Sequence, residues 1–527
     1  MASPRKQWLY PMVVLSGVAI AAFGVFYTVD RATTGRGSPL AYFDFSPPLI
    51  ADALGSLSAM IAAVLGIIIT VVSIVLQLSA GRYTQITDMF FRDRTNMVVM
   101  AFYVVGCMCG IFVSFSLADG FVPRVSLTVM MLIAVVGFAL MAPYFAYVFD
   151  FLQPENIIRR IRDKAFESAM TGMSTRDDSR RATCQAETLA GMEQLTDITI
   201  NSISGKDKII ATAGVDALKD LAVRYLAMEH ESSADWYVLG PKIRANPDFV
   251  SLSVESVDDL IARKAWVEWK LLRQYQAIYI EALHSMSDIN YVIAIDTRYV
   301  GEAAIAAGDR EALALCVKFF NSYLRATLNA RDVRTAYNIL NQYRQLVEAI
   351  VTAGWDEKAV EVAGYLKYYG HVSYGMNLGF ITETVAYDLC ALCEFAHERR
   401  PAIEPRILQT FLEVDQPAAE DADKETGLRG VRKAQIKLAT YYLVCGAEPL
   451  ARVIFDDVKS ERAERLRSIR EELEKIESKD FWEVIDRGTN FDYLPPERKA
   501  ALKTFFGWFQ SLSGEYPKIT KPKEAEG

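Results

Sequence analysis

The chain has only four histidines and seven cysteines in 527 residues, and no charge inside any of its four longest apolar stretches. Each scarcity excludes something. His230, His284, His371 and His397 are too scattered to define a site. No Gly-x-Ser-x-Gly, His-Glu-x-x-His or dinucleotide fingerprint is present, and Ser204-Gly205-Lys206 lacks the spacing of a phosphate loop. Cys390, Cys393 and His397 follow the i, i+3, i+7 rhythm of one helical face. Zinc wants a fourth ligand, and the flanking Ala391, Leu392, Phe395 and Ala396 read as ordinary core. No catalytic residue, metal or cofactor is therefore expected, and the chain reads as a non-enzyme. Ion-coupled transport usually needs an intramembrane carboxylate, histidine or arginine, so the uncharged apolar stretches count against it.

What is present is unevenly spread. Residues 1–152 hold eight Lys/Arg against seven Asp/Glu, while the remaining 375 hold 49 against 58. With 51% apolar residues and 23% charged, the chain is not disordered. Its mean hydropathy of +0.12 is high for a soluble protein. The acidic second part repels nucleic acid, whose binding needs clustered Lys/Arg. Cys184, Cys316 and Cys445 are expected there as reduced thiols.

Four stretches, 8–29, 54–78, 97–117 and 125–149, are long enough to cross a bilayer core of about 30 Å. The first is read as a retained signal anchor, because its apolar run is too long for a cleaved signal peptide. Arg5, Lys6, Arg82, Arg92, Arg94, Arg159, Arg160, Arg162 and Lys164 fall on one side of this arrangement; Arg31, Arg36 and Arg124 fall on the other. The positive-inside rule then puts both termini in the cytoplasm.

In the second span Ser56, Ala59, Ala63, Gly66, Thr70, Ser73 and Gln77 recur at steps of three and four, so they share one helical face. Small residues mark where membrane helices approach closely. That face is either a packing seam inside a four-helix bundle or, in a homo-oligomer, the lining of a central pore. Gly106, Gly110 and Ser114 make a second close-packing face in the third span, where Cys107 and Cys109 read as small apolar fillers. Between the second and third spans, Tyr83, Ile86, Met89 and Phe90 with Arg82, Arg92 and Arg94 suggest a short helix lying in the cytoplasmic interface. Arg159, Arg160 and Arg162 are further interface anchors, and the alternative for the loop is a plain polar turn.

Gln77-Leu78-Ser79-Ala80, Tyr83-Thr84 and Phe91-Arg92-Asp93-Arg94-Thr95-Asn96, leading into a Gly-rich span, resemble the domain-of-unknown-function 2254 family (DUF2254). The likeness runs over roughly residues 50–230. A weaker echo is Asp197-Ile198-Thr199-Ile200-Asn201-Ser202-Ile203-Ser204, after which the family's Ser-Pro-Gly and Asn-Asp-Pro turn is replaced by Gly205-Lys206-Asp207-Lys208. The resemblance implies a bacterial predicted membrane protein of the inner membrane with a soluble C-terminal portion. It implies no catalytic residues.

From Pro154 onward the pattern is helix after helix, with loop signals at Thr171–Arg180, Gly240–Asp248, Gln416–Arg429 and after Tyr516. Gly308, Gly354 and Gly446 each suit the left-handed residue that ends a helix, and Arg400-Pro401 marks another turn. Tyr442, Gly446, Ala451 and Phe455 have the spacing of a tetratricopeptide helix pair. Leu466, Ile469, Leu473 and Ile476 form a stripe that packs on a neighbouring helix or pairs between subunits.

The expected fold is all-α: a four-helix transmembrane bundle (1–152), a juxtamembrane helical domain (153–289), an α-solenoid-like repeat (290–480), and a C-terminal helix with a polar tail (481–527). The expected function is that of a membrane-anchored interaction or assembly protein, with the lipid bilayer, copies of itself and a cytoplasmic protein as partners and no nucleic acid. The alternative is a homo-oligomeric channel lined by the second span.

Overall fold

The computed structural model describes residues 47–80, 90–116, 124–415, 428–480 and 486–512 apart from Thr489, with scattered positions between 17 and 29. Most of the first apolar stretch and the whole 81–89 connection, including Arg82, Tyr83, Ile86 and Met89, lie outside these residues, as do residues 416–427 and the polar tail. Every regular element among the described residues is helical. The chain divides into two units after Ile161.

In the first unit, α1 (Pro47–Ala80), α2 (Arg94–Phe115) and α3 (Arg124–Phe151) pack pairwise on one another. Gly55–Ile74, Arg94–Phe115 and Val125–Phe151 have mean hydropathies of 2.6, 2.3 and 2.5, so all three are long and apolar enough to cross a membrane. Asp93 starts α2 by accepting the Thr95 and Asn96 amides at 2.9 and 3.3 Å, which satisfies donors that the first turn leaves unpaired. The next helix in the chain is α4 (Pro154–Ser174).

The second unit continues with α5 (Asp178–Ser204), α6 (Lys208–Met228), α7 (Val254–Ala262), α8 (Trp266–Ser285) and α9 (Ser287–Ala307). After these come α10 (Arg310–Asn329), α11 (Val333–Thr352), α12 (Asp356–Gly375), α13 (Gly379–Arg399), α14 (Glu404–Leu412) and α15 (Leu428–Val444). The last three are α16 (Glu448–Val458), α17 (Ala463–Lys475) and α18 (Pro496–Leu512). Two one-turn helices, Pro241–Arg244 and Pro247–Val250, occupy the Gly240–Asp248 stretch that read as a loop.

Packing sorts these helices into two rows. Neighbours in one row are α6, α9, α11, α13 and α15; neighbours in the other are α5, α8, α10, α12, α14 and α16. The chain crosses between the rows at tight turns after α5, α9, α10, α11, α12 and α15. Gly308, Gly354 and Gly446 adopt φ of 75°, 75° and 76°, the left-handed region that a Cβ penalises. The same region is taken without glycine at Lys206, Lys264, Arg331 and Asn377, which is why those helix ends are less visible in the sequence. Leu466, Ile469 and Leu473 of α17 are buried within this unit.

Candidate functional site

Ser56, Ala59, Ala63, Gly66, Thr70, Ser73 and Gln77 are all exposed on α1. It is the bulkier Ile61, Val64, Ile68 and Val72 that are buried. A Cβ built on Gly66 would meet nothing, and the Thr70 hydroxyl donates back to the Gly66 carbonyl at 2.8 Å. Gly106 and Gly110 of α2 are buried at close approaches: a Cβ at Gly106 would lie 3.1 Å from Ile133, and one at Gly110 2.8 Å from Met130. Ser114 is exposed, and Cys107 and Cys109 are half-buried.

The Phe-Arg-Asp-Arg-Thr-Asn run has a physical reading as a joint. Asp93 caps α2, accepts the Tyr147 hydroxyl of α3 and lies 3.5 Å from Arg160. Asn96 donates to the Phe90 carbonyl at 3.2 Å and accepts the Tyr144 hydroxyl at 2.7 Å. Phe90 is fully buried, edge-on to Phe151 at 5.2 Å. Arg160 also covers the Phe151 ring at 4.3 Å. Arg92, Arg94 and Arg159 are exposed, while Arg162 pairs with Asp163 and Asp220, both at 2.9 Å. Arg82 lies outside the described residues.

In the helical unit, the face of the first row is not bare. Asp486 accepts from Asn338 of α11 at 2.8 Å, and Arg487 holds the buried Asp388 of α13 at 2.6 Å. Phe491 stacks on Tyr387 with centroids 4.6 Å apart. Asp492 accepts from Tyr387 at 2.6 Å and from Lys433 of α15 at 2.8 Å. Asp486, Arg487, Phe491 and Asp492 therefore reach three consecutive helices of that row.

Cys390, Cys393 and His397 do not converge on a common point. His397 Nδ1 sits 3.0 Å from the Glu404 carboxylate, and burial pushes both thiols up, as expected of inert core cysteines. Among the described residues, the one trio of His, Cys or carboxylate ligands close enough to share a metal ion is Glu229, Glu268 and Asp309.

That trio follows from helix ends. Glu229 opens the 3₁₀ turn after α6, Glu268 sits in the first turn of α8, and Asp309 caps α10. One oxygen from each lies within 4.8 Å of the others. Asp309 accepts the Glu311 and Ala312 amides at 2.9 and 3.0 Å, and Tyr237 donates to Glu229 at 2.8 Å. Glu268 is 3% exposed, and neither of its oxygens meets a donor. Burial raises the Glu229 carboxyl to about 7; the Tyr237 hydrogen bond opposes this and Asp309 adds to it. Burial, with Glu229 beside it, also holds the Glu268 carboxyl far above its ordinary range. The Lys264 ammonium, 5.7 Å from the Tyr237 ring, supplies nearby positive charge. Glu229 and Asp309 line a cleft of about 840 Å³ together with His230, Ser232, Tyr237 and Lys264.

Sequence reasoning missed this trio. Its one available signal was a glutamate between Trp266 and Trp269, an acid where the flanking residues are large and buried or half-buried.

No curated protein and no solved structure matches the chain. Over residues 5–223, the chain matches the model of the family described as Predicted membrane protein (DUF2254).

Proposed function

We propose that this chain is a membrane-anchored, non-enzymatic interaction or assembly protein of the bacterial inner membrane, associating with copies of itself. In this reading both termini are cytoplasmic, the first apolar stretch completes a four-helix bundle, and the two-row body is an α-solenoid-like stack. The observation that carries it is the packing of α1, which buries Ile61, Val64, Ile68 and Val72, turns Ser58 towards Gly110, and leaves Ser56, Ala59, Ala63, Gly66, Thr70, Ser73 and Gln77 exposed. Hydrophobicity does not drive helices together in lipid, so small residues are the ones usually spent on close contacts between helices. A face of seven small and polar residues that is exposed among the described residues suits a second helix from another copy. The body, with nine more acidic than basic residues after position 152, suits a protein partner and not nucleic acid.

Two differently tagged full-length copies, co-expressed and extracted in mild detergent, test this. The expected result is co-purification that weakens when Gly66→Leu and Ser73→Leu fill the face. Absence of co-purification, or the same yield from the filled variant, overturns it.

The exposed Thr70, Ser73 and Gln77 also support a second reading, a homo-oligomeric channel with α1 lining a water-filled path. Ion flux into liposomes carrying the purified protein is its measurement, and no flux above empty liposomes removes it.

A further inference from the structure

We propose that Glu229, Glu268 and Asp309 form a binding site for a hard divalent cation of the Ca²⁺, Mg²⁺ and Mn²⁺ class. The inference is independent of the assembly reading. Its first support is convergence: three carboxylates from three separate helix ends bring one oxygen each within 4.8 Å of the others. Ligand oxygens around a cation at 2.0–2.6 Å span a distance of this order. Its second support is Glu268 itself. Both of its oxygens are shut from solvent and reached by no donor, and the side chain is aimed at the other two acids. A buried carboxylate is normally paired, and among the described residues no cationic side chain or well-placed hydrogen-bond donor pairs this one.

The donor set selects the metal class. All three ligands are carboxylate oxygens, with no histidine or cysteine among them, which suits hard cations over zinc or copper. The trio leaves coordination positions for water, and the cleft of about 840 Å³ bounded by Glu229 and Asp309 gives access to the outside. Tyr237 donates to Glu229 and the α10 amides hold one oxygen of Asp309. These outer contacts fix the carboxylates before an ion arrives. The N-terminal ends of α8 and α10, which carry Glu268 and Asp309, supply partial positive charge that makes the empty cluster tolerable. Lys264 supplies more, and an arriving cation takes over that role.

The test uses the full chain in detergent, stripped with a chelator and titrated with MnCl₂, with free Mn²⁺ read by electron paramagnetic resonance. The expected result is one bound Mn²⁺ per chain, displaced by Ca²⁺ or Mg²⁺, with quenching of the nearby Trp266 and Trp269 fluorescence. Glu268→Gln and Asp309→Asn should each weaken binding by about ten-fold or more, because affinity follows the number of charged ligands. Asparagine still caps a helix, so Asp309→Asn keeps α10 intact and stands even if the buried Glu268→Gln variant fails to fold. Glu302→Gln, an acid of α9 that pairs with Arg298, should bind as the unaltered chain does. No uptake at about 1 mM Mn²⁺, far above typical sensor-site affinities, overturns the site. So does equal affinity in Asp309→Asn; the trio is then three carboxyls sharing protons.

Discussion

At Lys270 an ammonium with no exposed surface meets Glu193 at 2.8 Å, Asp248 at 2.6 Å and Asn246 at 3.2 Å, one acceptor for each of its three N–H groups. Two residues earlier on α8, Glu268 is nearly as deeply buried and faces the carboxylates of Glu229 and Asp309. The two side chains leave the helix in different directions, into environments of opposite design. Around Lys270, burial alone would raise Asp248, yet Lys270 and Arg273 hold its carboxyl below the ordinary range. Around Glu268, burial and the neighbouring Glu229 and Asp309 carboxyls push the same way, and its own backbone amide opposes them without bringing the carboxyl back to its ordinary range. A matched cluster is a structural clasp, whereas an unmatched one stores an imbalance that an added positive charge relieves. The comparison teaches that burial of charge is not informative by itself; the missing partner is.

The largest effect should come from destroying the match. Lys270→Met leaves two carboxylates facing an apolar side chain and is expected to lower stability by about 3 kcal/mol, measured by thermal unfolding in detergent. The partial exposure of Glu193 and Asp248 keeps the loss at the low end of what such breaks cost. Removing charge from the unmatched cluster should do the reverse. With chelator present, Glu268→Gln is expected to raise stability by about 1–2 kcal/mol, since its amide can donate to the remaining acids. In saturating Mn²⁺ that order should invert, and an unchanged order would erase the distinction between the clusters.

A third cluster is intermediate. Asp296 is buried beside Lys219 at 3.8 Å and Tyr275 at 3.5 Å. Burial raises its carboxyl to about 7, Lys219 opposes this, and Asp216 and Asp220 add to it. The folded chain then holds this proton between pH 3.8 and about 7 while the unfolded chain releases it. Stability from this group is therefore present below that window and lost as pH rises through it. Asp296→Asn should remove up to about 1.4 kcal/mol per pH unit of slope there, read from unfolding curves at a series of pH values. The smallest effect concerns Lys264, which is left-handed at φ 57° and stands beside Glu229. Arg331→Gly, relieving a similar strain at φ 55° away from the cluster, should stabilise by about 1 kcal/mol. Lys264→Gly should gain less, and the shortfall in melting temperature measures the charge it supplies.

Several features were legible from residue types alone. The apolar stretches at 54–78, 97–117 and 125–149 appear as α1, α2 and α3 with boundaries shifted by a few residues at most ends, because length and hydropathy are local properties. Gly308, Gly354 and Gly446 end helices for an equally local reason, the freedom of a residue without a Cβ. The small-residue face of α1 could be read as a face, since helical period fixes which residues share a side. Which way it points could not. That depends on whether Ile61 and Val72 or Gly66 and Ser73 meet the neighbouring helices.

The acidic trio was illegible for a related reason. Glu229, Glu268 and Asp309 are separated by 39 and 41 residues, obey no spacing rule, and meet because three helix ends converge. The contacts of Asp486, Arg487 and Asp492 with α11, α13 and α15 were hidden in the same way. Sequence by itself determined what is local here: which stretches are apolar enough for lipid, where helices start and stop, and which residues share a face. Tertiary structure alone decided which faces meet and which charges find partners, because those outcomes depend on distances between residues far apart in the chain.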